Sequence, residues 1–111
     1  MEENIINKTY DFLLYLIPQI EKFPRSQKFL IADRIETNIL DILNHLIRAY
    51  YSKKNSKVTE LIETNIRLEQ LRFLFRLCHD MKLISHKKFG ILSEKLNEIG
   101  KMCGGWLKSI S

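Results

Sequence analysis

Glycine and proline are scarce in this chain, four and two among 111 residues, which argues against a sheet built on many tight turns. There are only two cysteines, Cys78 and Cys103, and both fall in segments with helical spacing. They supply no disulfide framework, and a reduced, cytoplasmic protein is the expectation. No uninterrupted apolar run is long enough to span a bilayer, and the chain opens on the acidic MEEN. Neither a transmembrane span, a signal peptide nor a membrane partner is therefore expected. The motifs of common catalytic sites are missing as well: no CxxC, no HExxH, no GxxxxGK(S/T) loop and no GxSxG elbow. His45, His79, His86, Cys78 and Cys103 include no two residues at i, i+4 on one helical face. Cys78 and His79 are adjacent, so on a helix they point about 100° apart. Core cysteines and surface histidines are the expected reading, with no metal, no cofactor and no enzymatic activity.

What is present is apolar content and positive charge. Hydrophobic residues make up 45% of the chain, enough for one domain spanning residues 1–111 to build a core without staples. The formal charge is +5, a weak pointer to an anionic partner. Its distribution says more. Residues 1–23 carry a net −2, residues 24–57 a net +4, residues 58–84 balance, and residues 85–111 carry +3.

Four helical segments can be read from the spacing. In the first, residues 4–22, Ile6, Tyr10, Leu13, Ile17 and Ile20 recur at threes and fours, with Leu16 beside them. Pro18 removes one backbone donor, so a kink or early fraying is expected there. FPRS then breaks the chain, with Ser26 as N-cap of a segment at 26–51. Its stripe is Ala32, Ile35, Ile39, Ile42, Leu43, Leu46 and Tyr50. SKKNSK, residues 52–57, is a polar turn, with Ser56 placed to cap the third segment at 57–82. There LRFLFRLCHDM puts apolar residues around much of the circumference. A helix of that kind is buried on more than one side, which implies a second surface covered by another chain, unless these are scattered surface apolars. Ser85 caps the fourth segment, 85–110, with the stripe Phe89, Leu92, Leu96, Ile99, Met102, Cys103, Trp106 and Ile110. Gly100, Gly104 and Gly105 each cost about 1 kcal/mol relative to Ala and read as a close-packing seam. Short connections make neighbours antiparallel, so the expected fold is all-α, an up-down-up-down four-helix bundle.

Cations stand where helices least favour them. Arg25 and Lys28 fall around the first turn of the second segment, and Lys87 and Lys88 open the fourth. A helix start presents positive charge and prefers anions. Arg72 and Arg76 lie at i, i+4 on the third segment. They either pair with Glu69 within the helix or present two guanidinium groups to phosphate or to a partner's carboxylates.

Three phrases carry a family resemblance: KTYDFLLYLIPQIEKFPRSQKFLIADRIE, RLEQLRFLFRLCHDMKLIS and LNEIGKMCGGWLKS. Together they cover nearly the whole chain and resemble the accessory variability determinant (Avd) proteins of diversity-generating retroelements. That family lies within a wider four-helix-bundle group that includes the proteins of ribosomal RNA intervening sequences. The resemblance implies a homopentameric ring or barrel of four-helix protomers with a basic surface and no polymerase chemistry of its own. Its implied partners are the element's reverse transcriptase and its template-repeat and spacer RNA, with the cDNA as a further candidate. Its implied role is mutagenic cDNA synthesis. Within the matched phrases, Arg72 and Arg76 fall in the arginine-bearing helix, Arg25, Lys28 and Arg34 in FPRSQKFLIADRIE, and Lys101 in the basic slot of EIGxM. Lys87 and Lys88 lie outside these phrases. Five copies of a +5 protomer would carry about +25. The alternative is an intervening-sequence bundle with an RNA-linked or undefined role, and an unrecognised small enzyme is the third reading.

Overall fold

In the computed structural model, which describes residues 2–110, each apolar stripe turns inward to a shared core. The elements are α1 (Glu2–Ile20), α2 (Arg25–Gln27), a π-helical turn (Lys28–Ala32), α3 (Asp33–Tyr51), α4 (Lys54–Asp80) and α5 (His86–Ile110). The segment α2–π–α3 forms one helical path, so the described residues make four long helices and no strand. Side-chain pairs fix their directions. Tyr50 at the end of α3 donates to Glu3 at the start of α1, and Lys57 near the start of α4 donates to the Tyr50 carbonyl. Arg72 of α4 reaches Asn97 of α5 while Cys103 reaches back to Leu61. Lys8 and Tyr15 of α1 meet Glu98 and Lys88 of α5 respectively. Each adjacent pair is antiparallel, and the bundle measures 43 × 24 × 20 Å. No helix among the described residues is long and apolar enough to cross a membrane.

The stripes of α3 and α5 are buried largely as their spacing demands: Ile35, Ile39, Ile42 and Leu46 enter the core, as do Leu92, Leu96, Ile99 and Cys103. The face of α1 differs from the expected one. Its buried line is Ile5, Thr9, Phe12, Leu16 and Ile20, while Tyr10 is exposed and Ile6, Leu13 and Ile17 are only partly covered. Thr9 hides this line in the sequence because it is polar. It is accommodated because its hydroxyl donates to the Ile5 carbonyl at 2.8 Å. Pro18 sits in the last turn of α1, which ends at Ile20, two residues before the expected boundary.

Helix starts depart from expectation at two of three places. Pro24, not Ser26, occupies the N-cap of α2, in keeping with its fixed φ of −54°. Lys53 occupies the N-cap of α4, so Ser56 lies inside the first turn. The α3–α4 connection needs only two residues because the Ser52 hydroxyl bonds back to the Arg48 carbonyl and closes the helix end. Ser85 does cap α5, accepting from the Lys88 N–H at 3.0 Å. The preceding end of α4 is a Schellman closure: Leu83 N–H donates to the Cys78 carbonyl, Lys82 N–H to that of His79, and Lys82 takes the left-handed conformation at φ 61°.

The glycine seam on α5 is not a seam within the protomer. A Cβ built on Gly104 or Gly105 meets nothing within 4 Å, and only at Gly100 is the space taken, by Arg72 Nη2 at 2.8 Å. On α4, Leu71, Phe75 and Cys78 face the core, whereas Phe73, Leu77 and Met81 remain exposed.

Candidate functional site

The π turn explains how the FPRSQKFLIADRIE segment is displayed. Its widened ring is closed by the Asp33 N–H donating to the Lys28 carbonyl, five residues back. Four consecutive apolar residues spread over about 300° of a helix, so FLIA cannot turn wholly to the core. Here Ile31 and Ala32 enter the core and Phe29 and Leu30 face outward, 77% and 63% exposed. Arg25, Lys28 and Arg34 are exposed around them and make no ion pair with any described residue. The first turn leaves few N–H groups free to receive an anion. Gln27 N–H is taken by the Pro24 carbonyl at 2.8 Å and Lys28 N–H by that of Arg25. These cations stand as exposed side chains on a ledge at the start of the helical path.

Below this ledge runs a groove of about 820 Å³ between the α2–π–α3 path and the second half of α4. Leu30, Ile31, Phe73, Leu77 and Met81 give it apolar walls, and Arg34 stands in its lining. Two acceptors in the lining, Gln27 Oε1 and Asn38 Oδ1, are buried without a hydrogen-bond partner, although Asn38 Nδ2 donates to Gln70 Oε1 at 3.3 Å. An unsatisfied buried acceptor costs about 1–3 kcal/mol, and an incoming donor would recover it. Arg67 is held beside the groove by Asp41 at 3.0 Å, Glu63 at 3.5 Å and His45 Nε2 at 3.3 Å. Since His45 Nε2 accepts from Arg67, its Nδ1 carries the proton donated to Glu60.

Phe73 also borders a smaller pocket holding Arg72 and Arg76, and there the two arginines part ways. Arg72 is drawn back, with Nη1 at 2.8 Å from Glu69 and Nε at 3.4 Å from Asn97, its guanidinium filling the notch that Gly100 leaves. Arg76 is far more open, 68% exposed, with Asp80 at 3.9 Å. They do not form a matched fork. The lysines of α5 belong to yet another surface. Lys88 donates to the Tyr15 hydroxyl at 3.3 Å and lies over its ring, as does Lys95, a cation the sequence reading passed over. Lys87 and Lys101 are exposed. Lys8 bonds Glu98 at 2.7 Å, and that hydrogen bond, then the charge, lowers the Glu98 carboxyl and raises the Lys8 ammonium. The eight candidate residues therefore divide among the ledge (Arg25, Lys28, Arg34), the α4–α5 seam (Arg72, Arg76) and the remaining face of α5 (Lys87, Lys88, Lys101).

Cys78 and Cys103 are buried free thiols, and burial pushes both up to about 11. No group of three or more potential metal ligands gathers among the described residues. Sequence reasoning did miss one meeting, that of His79 and His86, because they belong to different helices.

A crystal structure of a protein of unknown function from the S23 ribosomal protein family of Bacteroides thetaiotaomicron has the same architecture. It superimposes with a TM-score of 0.88 over 97% of this chain and 99% of that one, at 15% sequence identity. No curated protein matches the sequence. A family model described as bAvd-like matches residues 4–110. With the four-helix fold and nearly the full length of the chain accounted for, the protein belongs to the bAvd-like family.

Proposed function

We propose that this protein is a non-catalytic accessory subunit of a diversity-generating retroelement. It works as an oligomer, a homopentamer in the Avd manner, that binds the element's reverse transcriptase and template RNA and enables mutagenic cDNA synthesis. The observation that carries the proposal is the ledge: three exposed cations without ion-pair partners, set beside exposed Phe29 and Leu30 and above an open apolar groove. Unpaired arginines and lysines on a protein surface suit phosphate, whose affinity they raise through counterion release. An apolar groove with buried unsatisfied acceptors suits a protein segment carrying hydrogen-bond donors. The two recognition chemistries lie side by side, as a subunit joining a polymerase to its RNA requires.

The test is capture of the cognate reverse transcriptase and its template RNA by wild type and by Arg25→Glu/Lys28→Glu/Arg34→Glu, with light scattering on both proteins. If three phosphate contacts are lost, the salt dependence of RNA binding, log K against log[salt], should flatten by about 2. Unchanged RNA binding and unchanged capture by the triple variant would refute the role of the ledge. Salt-dependent RNA binding with no capture of the polymerase by wild type would move the protein to the intervening-sequence reading.

A further inference from the structure

The turn joining α4 to α5 assembles a pair of side chains seven residues apart in sequence. His79 lies in the last turn of α4 and His86 is the first residue of α5, with His79 Nε2 and His86 Nδ1 3.3 Å apart. That separation suits a shared proton, and it also suits a shared ion. Two imidazole nitrogens bound to one tetrahedral zinc, each at 2.0–2.1 Å, stand about 3.3–3.4 Å from one another.

The surroundings hold both rings. The Schellman closure fixes the turn through Leu83 and Lys82, and the Ser85 cap fixes the first turn of α5. Phe89 stacks on His79 with centroids 4.6 Å apart and planes 28° from parallel. Asp80 Oδ1 stands 3.5 Å from His79 Nδ1, on the far side of the ring from His86. The pair lacks hydrogen-bond geometry, so the carboxylate acts on the ring through its charge, which favours a cation at the imidazole pair. The shallow pocket at the turn is lined by His79, Asp80, Lys82, Leu83, Ile84, Ser85 and His86, so an ion could enter from solvent.

We propose that His79 and His86 form a two-imidazole chelate for a divalent transition-metal ion, with solvent filling the remaining coordination positions and the nearby Asp80 charge favouring the bound ion. Two nitrogen donors select zinc, nickel or copper and discriminate against magnesium and calcium, which demand oxygen. The chelate ties the end of one helix to the start of the next. Its existence is independent of the retroelement reading.

The experiment is titration of the full-length protein with Zn²⁺ in competition with a chromophoric chelator, followed by thermal unfolding with and without the ion. Wild type is expected to take up one ion per chain and to unfold at higher temperature with it. His86→Gln should lower the affinity at least about tenfold, since chelation by the second imidazole is lost, and Asp80→Asn by a smaller factor, since only a nearby charge is lost. Mg²⁺ should have no effect. Circular dichroism checks that each variant keeps its helices. The proposal is overturned if wild type shows no saturable one-to-one uptake, or if folded His86→Gln binds Zn²⁺ as tightly as wild type.

Discussion

Replacing both Gly104 and Gly105 by alanine should stabilise the protomer. In a helix interior each Gly→Ala change gains about 0.8–1.0 kcal/mol by reducing the conformational freedom lost on folding. The usual offset is steric, and here it is absent: a Cβ at either position meets no atom within 4 Å. Two such gains sum to about 2 kcal/mol. With an unfolding entropy near 2.1 cal/mol/K per residue over 111 residues, that corresponds to a rise in Tm of about 8 °C. Gly100→Ala is the internal contrast. Its Cβ would fall 2.8 Å from Arg72 Nη2, so the guanidinium must move and gives up its bond to Asn97. The net gain there should be under about 0.5 kcal/mol, the propensity term offset by the lost hydrogen bond. The assay is thermal unfolding by circular dichroism across a tenfold range of protein concentration, because an oligomer's Tm depends on it. An unchanged or lowered Tm for the double variant would refute the claim that these glycines are idle. A lowered Tm accompanied by a drop in light-scattering mass would assign them to contact between subunits.

Lys82→Gly should raise stability by about 1 kcal/mol, since lysine holds a left-handed conformation at φ 61° that glycine adopts freely; an unchanged denaturation midpoint would count against it. Cys78 and Cys103, with thiols pushed up to about 11 by burial, should be about one part in a thousand thiolate at pH 8. Labelling by a disulfide reagent should then wait on opening of the bundle, and rapid reaction of two thiols in the folded protein would contradict the packing. The Glu98 carboxyl should titrate below the ordinary glutamate range by NMR and move back up in Lys8→Gln, because the Lys8 hydrogen bond is the main cause of its depression. Its modest stabilising effect is then present above the ordinary glutamate range and disappears as pH falls through the lowered value. The Lys8 counterpart is present below the ordinary lysine range and is lost as pH rises through its raised value.

The four helices were legible because α3 and α5 keep their apolar residues in step with the helical repeat. Ile35, Ile39, Ile42 and Leu46 are fully buried, as are Leu96, Ile99 and Cys103. The phase of α1 was not legible, since its buried line passes through Thr9, whose hydroxyl is satisfied locally in a way that composition does not reveal. The π turn was hidden too, because FLIADRIE reads as ordinary helix. Of the candidate site, the cations could be named from sequence, but not their pairing. Arg72 and Arg76 look equivalent at i, i+4, yet a notch on another helix, at Gly100, takes one and leaves the other in solvent. Of the apolar circumference of α4, Phe73, Leu77 and Met81 stay exposed.

The π turn lets the ledge carry one residue more than a regular helix would without re-aiming the cations on either side. Between Lys28 and Ala32 the backbone winds one residue more than a regular helix would, and each residue of an α-helix advances the chain about 100° around its axis. Deleting Phe29 or Leu30 would remove that extra residue together with the widened ring, so Arg25 and Arg34 would keep nearly the same bearing about the axis, and the net charge would not change. In proteins built on this bundle, a one-residue gap in this short stretch is therefore the loss of one side chain from the ledge and not a change of direction.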